Sequence, residues 1–504
     1  MLRLARRPVA SLCIALLALN VVDCHKITQQ EPRTVIPADG TTVKTDRIRG
    51  VTLNDGRQIQ FDKNPQALVL SDTLRANVKG QPTAIAVSDV QRVWVESTDK
   101  GRTTLLVIGT TVAVFAGLVA IAIATKESCP FVYSWDGAQY VFDGEPYGGA
   151  ISRALERDDY SDLEHLRPDS AGLYRLMVTN EVNETQFTNS MELLVVDHRP
   201  GTRFEMDEFG KLHSASRVLP PVSARDQNGK DLVPWLAAAD EMIWEPPPPM
   251  DPAGAVRQEI VMTFPKPRGA TRAQLVARVG TGLWGSHMIR EMLQLRGSRV
   301  SEWYATLDKG GAPLDALRAW NVREELYVLK LDVDESGGWR TRGLLPGGGP
   351  FIAETRVVPL DVSNATGDSL RLRIRPPSGF WALNSFAVTY DDSEQPLAVA
   401  KIAPIYARSS DGRDLLSDLR TADDRYYTMP NTGDRAMVSF VAPPARAGAE
   451  RTVFLHTRGY YRLHLPEQGP ADLVSLQKIS EQPDAAARMA AERFAKQRLA
   501  RSGN

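Results

Sequence analysis

Hydrophobic and polar positions change period several times along this chain, and each change predicts a different kind of element. Residues 25 to 102 alternate apolar and polar at strand period, and in Val51-Thr-Leu-Asn-Asp-Gly-Arg-Gln-Ile-Gln-Phe61 an Asp-Gly pair sits between two alternating arms, a strong hairpin signal. With strand-like runs at 67–78 and 84–95, this stretch predicts a small β-barrel or sheet over residues 25–102. Alternation then stops. Residues 104–124, TLLVIGTTVAVFAGLVAIAIA, carry no charge, and as a helix they would extend roughly 30 Å, the thickness of a bilayer's hydrocarbon core. The expectation is one transmembrane helix.

Beyond that run strand signals resume. Phe131 to Trp135 and Gln139 to Phe142 flank Asp136-Gly137 and predict a hairpin, followed by strands near Leu173–Thr179 and Met191–Val196. Residues 214–256, ending in Pro246 to Pro249, read as a loop or linker, because consecutive prolines favour extended geometry. This predicts a boundary between a β-rich domain at 126–245 and a mixed region at 255–480. Trp284, Met288, Met292 and Leu295 fall on one face of a helix, and Trp303, Tyr304 and Leu307 suit a second short one. From Glu325 onward many short strands separated by Gly- and Pro-rich turns argue for a sandwich or jelly roll. The fold class expected is therefore mainly β with some α.

The chain's start has another character. Arg3, Arg6 and Arg7 precede an apolar stretch from Val9 to Val22, the form of a secretory signal, so residues 1–24 read as a signal or lipoprotein signal segment. Aliphatic residues ahead of Cys24 resemble a bacterial lipoprotein box, although Asp23 stands where a small residue is expected. Lipidation of Cys24, cleavage elsewhere and an uncleaved anchor are the three alternatives. Cys13 and Cys129 are the only other cysteines, so neither a disulfide framework nor a thiolate metal site follows. A net charge of −1 gives no electrostatic case for nucleic acid. The Ala-rich, basic stretch 484–501 predicts a C-terminal helix, solvated or resting on anionic lipid.

Three further resemblances bear on architecture. The string SCPFVYSWDG…YVFDGE at 128–145 resembles a segment of uncharacterised bacterial envelope proteins, in which it follows a small β domain and a membrane segment; the hairpin at Asp55-Gly-Arg57 is similar to that of small SH3-like domains in bacterial lipoproteins. Phe380 to Tyr390 resembles a strand of galactose-binding-like jelly rolls. These likenesses imply architecture and no activity.

Candidate chemistry is sparse. Asp332-Val-Asp-Glu-Ser-Gly337 imitates the start of a calcium loop, but position twelve is Gly343 instead of the closing Glu, so a hairpin turn is the reading preferred. Glu156, Asp158, Asp159, Asp162 and Glu164 with His165 form an acidic stretch that could hold a cation or serve as a solvated loop. His456 and His464 share a face if their strand is uninterrupted, and Gly459 could break that parity through a bulge. Neither GxSxG, HExxH nor a phosphate-binding glycine motif occurs, and Leu345-Pro-Gly-Gly-Gly-Pro350 reads as a turn. No catalytic residue, metal ligand or cofactor is assigned, and membrane lipid and an envelope protein or glycan are the expected partners. The function expected is a membrane-attached bacterial envelope protein with a non-catalytic binding or scaffolding role; the alternative is an envelope hydrolase acting on glycan. Lys100 and Arg102 before the apolar run, against Lys126 after it, leave its direction open, and the aromatic-rich, cysteine-poor β modules favour a periplasmic or external C-terminal region.

Overall fold

The computed structural model describes residues 25–30, 43–45, 48–53, 57–62, 67–70, 73–79, 81–98, 130–240 and 242–502. Segment 1–24 with Cys24, and the run 104–124, lie outside the described residues. The chain divides into two compact units, Met1–Ile108 and Gly109–Asn504.

In the first unit, one four-stranded sheet orders His25–Gln30, Val90–Thr98, Ile48–Leu53 and Gln58–Gln60, and a second orders Val43–Thr45, Ala67–Leu70, Thr73–Val78 and Gln81–Ala86. The expected hairpin pairs Val51 with Ile59, its turn residues 54–56 lying outside the description. Alternation sends Ile48, Val51 and Val93 of one sheet and Leu74 and Ile85 of the other into a shared core. Trp94, next to Val93 in its strand, is also buried, and its indole N–H donates to Thr52 Oγ1 at 2.9 Å.

The second unit is built on a β-sandwich. One sheet runs Tyr140–Gly144, Phe131–Trp135, Leu173–Thr179, Arg435–Val441 and Tyr406–Ser409. The facing sheet runs Arg157–Asp162, Glu450–Leu463, Glu184–His198 and Ala398–Ile402. Leu176, Val178, Met191, Leu193, Val438, Phe440 and Leu455 fill the space between them. After His198 the chain leaves this sandwich, and it returns at Ala398. The excursion forms a second β layer pair, a five-stranded sheet containing Ile260–Pro265, Ser369–Ile374 and Val328–Glu335 and a three-stranded sheet of Glu354–Asp361, Arg272–Thr281 and Trp381–Thr389.

Two expectations are corrected here. The boundary between 126–245 and 255–480 does not exist as drawn, because Glu184–His198 pairs along its length with Glu450–Leu463, so each sandwich sheet takes strands from both sides of the prolines. Residues 242–249 are no linker either. Trp244 bridges to Leu383 in the inserted part, and Pro248 packs on Gly379. The single transmembrane helix of the expected fold class is likewise not found: no helix among the described residues is long and apolar enough to cross a membrane, and the run 104–124 lies outside them. The longest of them, Ala485–Ser502, carries Arg488, Glu492, Arg493, Lys496 and Arg498. It is not a freely solvated helix, because Ala486, Ala487, Ala490 and Ala491 are buried and Phe494 meets Trp284 edge-on at 5.4 Å. Small alanine side chains allow that close approach.

The helix expected around Trp284 spans Leu283–Gln294, with Met288 and Met292 buried, and Val300–Asp308 follows. A third helix, Ala312–Glu324, escaped the periodicity because Leu314 and Glu324 are its buried residues. Its signals are local ones, a proline in its first turn and a left-handed Glu325 that closes it.

Candidate functional site

The acidic stretch forms a strand, Arg157–Asp162, on the edge of the second sandwich sheet. Alternation divides its carboxylates between two faces, and their environments differ accordingly.

On one face, Tyr160 pairs with His456 and Asp158 with Arg458. The Tyr160 and His456 rings stack at 4.6 Å with 10° between their planes. His456 Nε2 lies 2.9 Å from Asp158 Oδ1 and Nδ1 lies 2.7 Å from Glu192 Oε1. Arg458 adds a bond to Asp158 at 3.0 Å, and Lys401 approaches Glu192 at 3.8 Å. The imidazole therefore bridges three strands, with a carboxylate on each ring nitrogen. That occupies both nitrogens and leaves neither directed at a substrate proton or a nucleophile, the geometry that acid–base catalysis requires.

On the other face, Asp159 is buried against the inserted part of the unit. Arg356 donates to Asp159 at 3.0 Å and to Glu354 at 2.6 Å, and Asp159 also accepts from the amides of Tyr147 and Tyr160. Burial pushes the Asp159 carboxyl up, but the guanidinium groups of Arg356 and Arg157 and these amides outweigh it and hold Asp159 below its ordinary value. For Glu354 burial wins, with Asp159 repelling it, and its carboxyl is raised. Asp162, back on the face of Asp158 and Tyr160, is raised well above the ordinary range by burial and by Glu205, Glu164 and Asp143 around it. The Gly-rich loop closes over this region: Thr281 Oγ1 donates to the Gly348 carbonyl at 2.7 Å, and a Cβ on Gly349 would fall 1.9 Å from Glu145 Oε2. The turn read from the sequence is thus also a close contact between the inserted part and the segment after Phe142.

The remaining candidates do not converge. Glu164 is bound by Arg278 at 2.6 Å and His165 by Asp143 at 2.8 Å. Asp332 is held by Arg373 and Thr341, Asp334 by Arg371, and Glu335 by Arg342, all around the hairpin Val328–Glu335/Gly338–Pro346. Among the described residues no group of three or more His, Cys, Asp or Glu could hold a metal ion.

His464 bonds Asn183 and Thr185, eight residues or about 27 Å of strand from His456, so the two histidines form no pair. Gly459 does not interrupt their strand. The bulge lies in the partner, between Thr188 and Ser190, and Gly459 is required because a Cβ there would lie 2.5 Å from the Phe187 carbonyl and 2.7 Å from the Tyr147 ring. Gly459→Ala is expected to cost about 1–3 kcal/mol through this overlap, read as a lowered denaturation midpoint; an unchanged midpoint would show that the two neighbours yield freely.

One constellation had no sequence signal. His213, buried, lies between Asp207 Oδ2 at 2.9 Å and Asp392 Oδ2 at 3.2 Å. Asp392 is 179 residues away in the chain, and no spacing rule connects it to His213. No family model matches this chain, and no curated protein matches it.

Proposed function

We propose that the protein is a bacterial cell-envelope protein, exported and held at the membrane surface through its N-terminal segment, whose large β-rich region acts as a non-catalytic protein- or glycan-binding or scaffolding module on the periplasmic or external side. The observation that supports it is the engagement of the reactive groups. His456 is clamped by Asp158 and Glu192, His464 by Asn183 and Thr185, and Asp159 by Arg356, each contact joining strands or the two parts of the unit. These residue types, so placed, serve cohesion.

The test combines localisation with activity. Cell fractionation is expected to place the protein with membranes, and an alkyne-tagged fatty acid is expected to label the wild type and not Cys24→Ser. Alkaline phosphatase fused after residue 200 should be active. Purified protein should release no dye from dye-labelled envelope polysaccharide. Release that His456→Ala abolishes would establish the hydrolase instead, and a wild type found in the cytosolic fraction would remove the envelope assignment.

A further inference from the structure

Where the chain passes from the sandwich into the inserted part and back again, the two crossing segments enclose an open cleft of about 340 Å³. Ser214, Ser216 and Glu394 form its inner part, and Arg199, Arg217, Asp391 and Ser393 surround the mouth. Every one of these side chains is polar. We propose that this cleft is a saccharide-binding site taking an uncharged unit of one or two sugar rings.

The inner part is held in place before any ligand arrives. Ser214 is buried, 4% exposed, and its amide donates to Asp392 Oδ1 at 3.0 Å. The same Asp392 carboxylate, with Asp207, fixes the neighbouring His213 ring. Ser216 Oγ donates to Glu394 Oε2 at 2.6 Å, and Ser214 Oγ lies 3.3 Å from Ser216 Oγ and 3.5 Å from Glu394. A ligand therefore meets hydroxyls and a carboxylate whose positions are already set, which lowers the ordering cost of binding.

The chemistry selects the ligand class. Two guanidinium groups face two carboxylates, so the lining has no net charge and favours neither an anion nor a cation. Arg217 is mostly exposed at 84% and stands 3.9 Å from Asp391, which leaves most of its donors to solvent or ligand. Sugar hydroxyls both donate and accept, which matches carboxylates that accept and guanidinium and seryl groups that donate. With no apolar side chain in the lining, an acyl chain or a hydrophobic peptide side chain would gain nothing there. The volume lies at the low end for small-molecule sites, which limits the occupant to one or two rings.

The assignment rests on the reading of this region as a binding module, and the experiment separates the two. Calorimetric titration of the full chain with maltose, chitobiose and lactose is expected to show binding of at least one, with Glu394→Gln and Ser216→Ala each weakening it about tenfold, the equivalent of one hydrogen bond to a charged group. Leu473→Ser, exposed on the helix Leu473–Glu481, should leave the affinity unchanged, and thermal melts confirm that the variants fold. Absence of binding to all three sugars, unaltered affinity in both cleft variants, or tighter binding of inorganic phosphate than of any sugar would overturn the proposal. Co-sedimentation with insoluble envelope polysaccharide tests the module itself: sedimentation unaffected by Glu394→Gln would leave the module standing and remove the cleft, whereas no sedimentation and no titration would remove both.

Discussion

Arg356→Met is expected to destabilise the second unit by about 3–5 kcal/mol, the cost of removing one partner from a buried ionic cluster. The guanidinium lies between Asp159 on the sandwich's edge strand and Glu354 on the inserted sheet, and all three side chains are buried. Methionine fills similar volume without the charge, so the loss measures the two stranded carboxylates rather than a cavity. Asp159 is held below its ordinary value in the folded protein, so its stabilising contribution is present at neutral pH and is lost as pH falls through that lowered value. The deficit of the variant should accordingly shrink toward acid pH, where both carboxylates take up protons. Urea midpoints of wild type and variant at neutral and acid pH check this, and Arg356→Lys should fall between them, since one ammonium cannot reproduce two divergent N–H bonds. A deficit under about 1 kcal/mol at neutral pH would show that the carboxylates find other partners.

Glu184→Gln is expected to act in the opposite direction. Glu184 begins the long strand Glu184–His198 and is fully buried, with Gln186 Nε2 donating to Oε1 at 2.9 Å; its Oε2 has no hydrogen-bond partner among the described residues. Burial pushes its carboxyl up to about 8, against a modest lowering by the Gln186 bond and by Arg290. Between the ordinary glutamate value and about 8 the folded state holds a proton that the unfolded state has released, so stability falls as pH rises across that window. At about 1.4 kcal/mol per pH unit, this amounts to about 3 kcal/mol by neutral pH. An amide does not ionise, and the variant should gain that amount at neutral pH while matching the wild type near pH ~4.5. Denaturation midpoints measured across the window decide it; a gain that does not grow with pH would show that Glu184 is ionised in the folded protein.

Both effects arise where local pattern ends. The Asp136-Gly137 hairpin was legible because Asp136 Oδ1 accepts from the amides of Ala138 and Gln139, contacts within three residues. The helix Leu283–Gln294 was legible because Met288 and Met292 fall a turn apart on its buried face. The apolar run at Met191–Val196 likewise marked a strand, whose Leu193 and Val195 enter the sandwich core. None of this says which strand lies next to which. Leu193 is partnered by Leu455, and that choice, made far along the chain, interleaves regions that the prolines at 246–249 had suggested were separate. The acidic stretch was visible as a run of charges. Its division into an outward set meeting His456 and an inward set meeting Arg356 needed both the strand and its neighbours.

The sequence by itself determined a mainly β chain, its hairpins and the amphipathic helix Leu283–Gln294. It did so because strand and helix periods and turn chemistry act over a few residues. Only the tertiary structure decided that one sandwich is interrupted by another β layer pair, that His456 of the strand Glu450–Leu463 and His464 just past its end never meet, and that His213 and Asp392 together support a polar cleft. Those outcomes depend on pairings between residues up to several hundred positions apart, which are set by burial of whole faces and by desolvated charge finding its counter-charge. No local spacing encodes them.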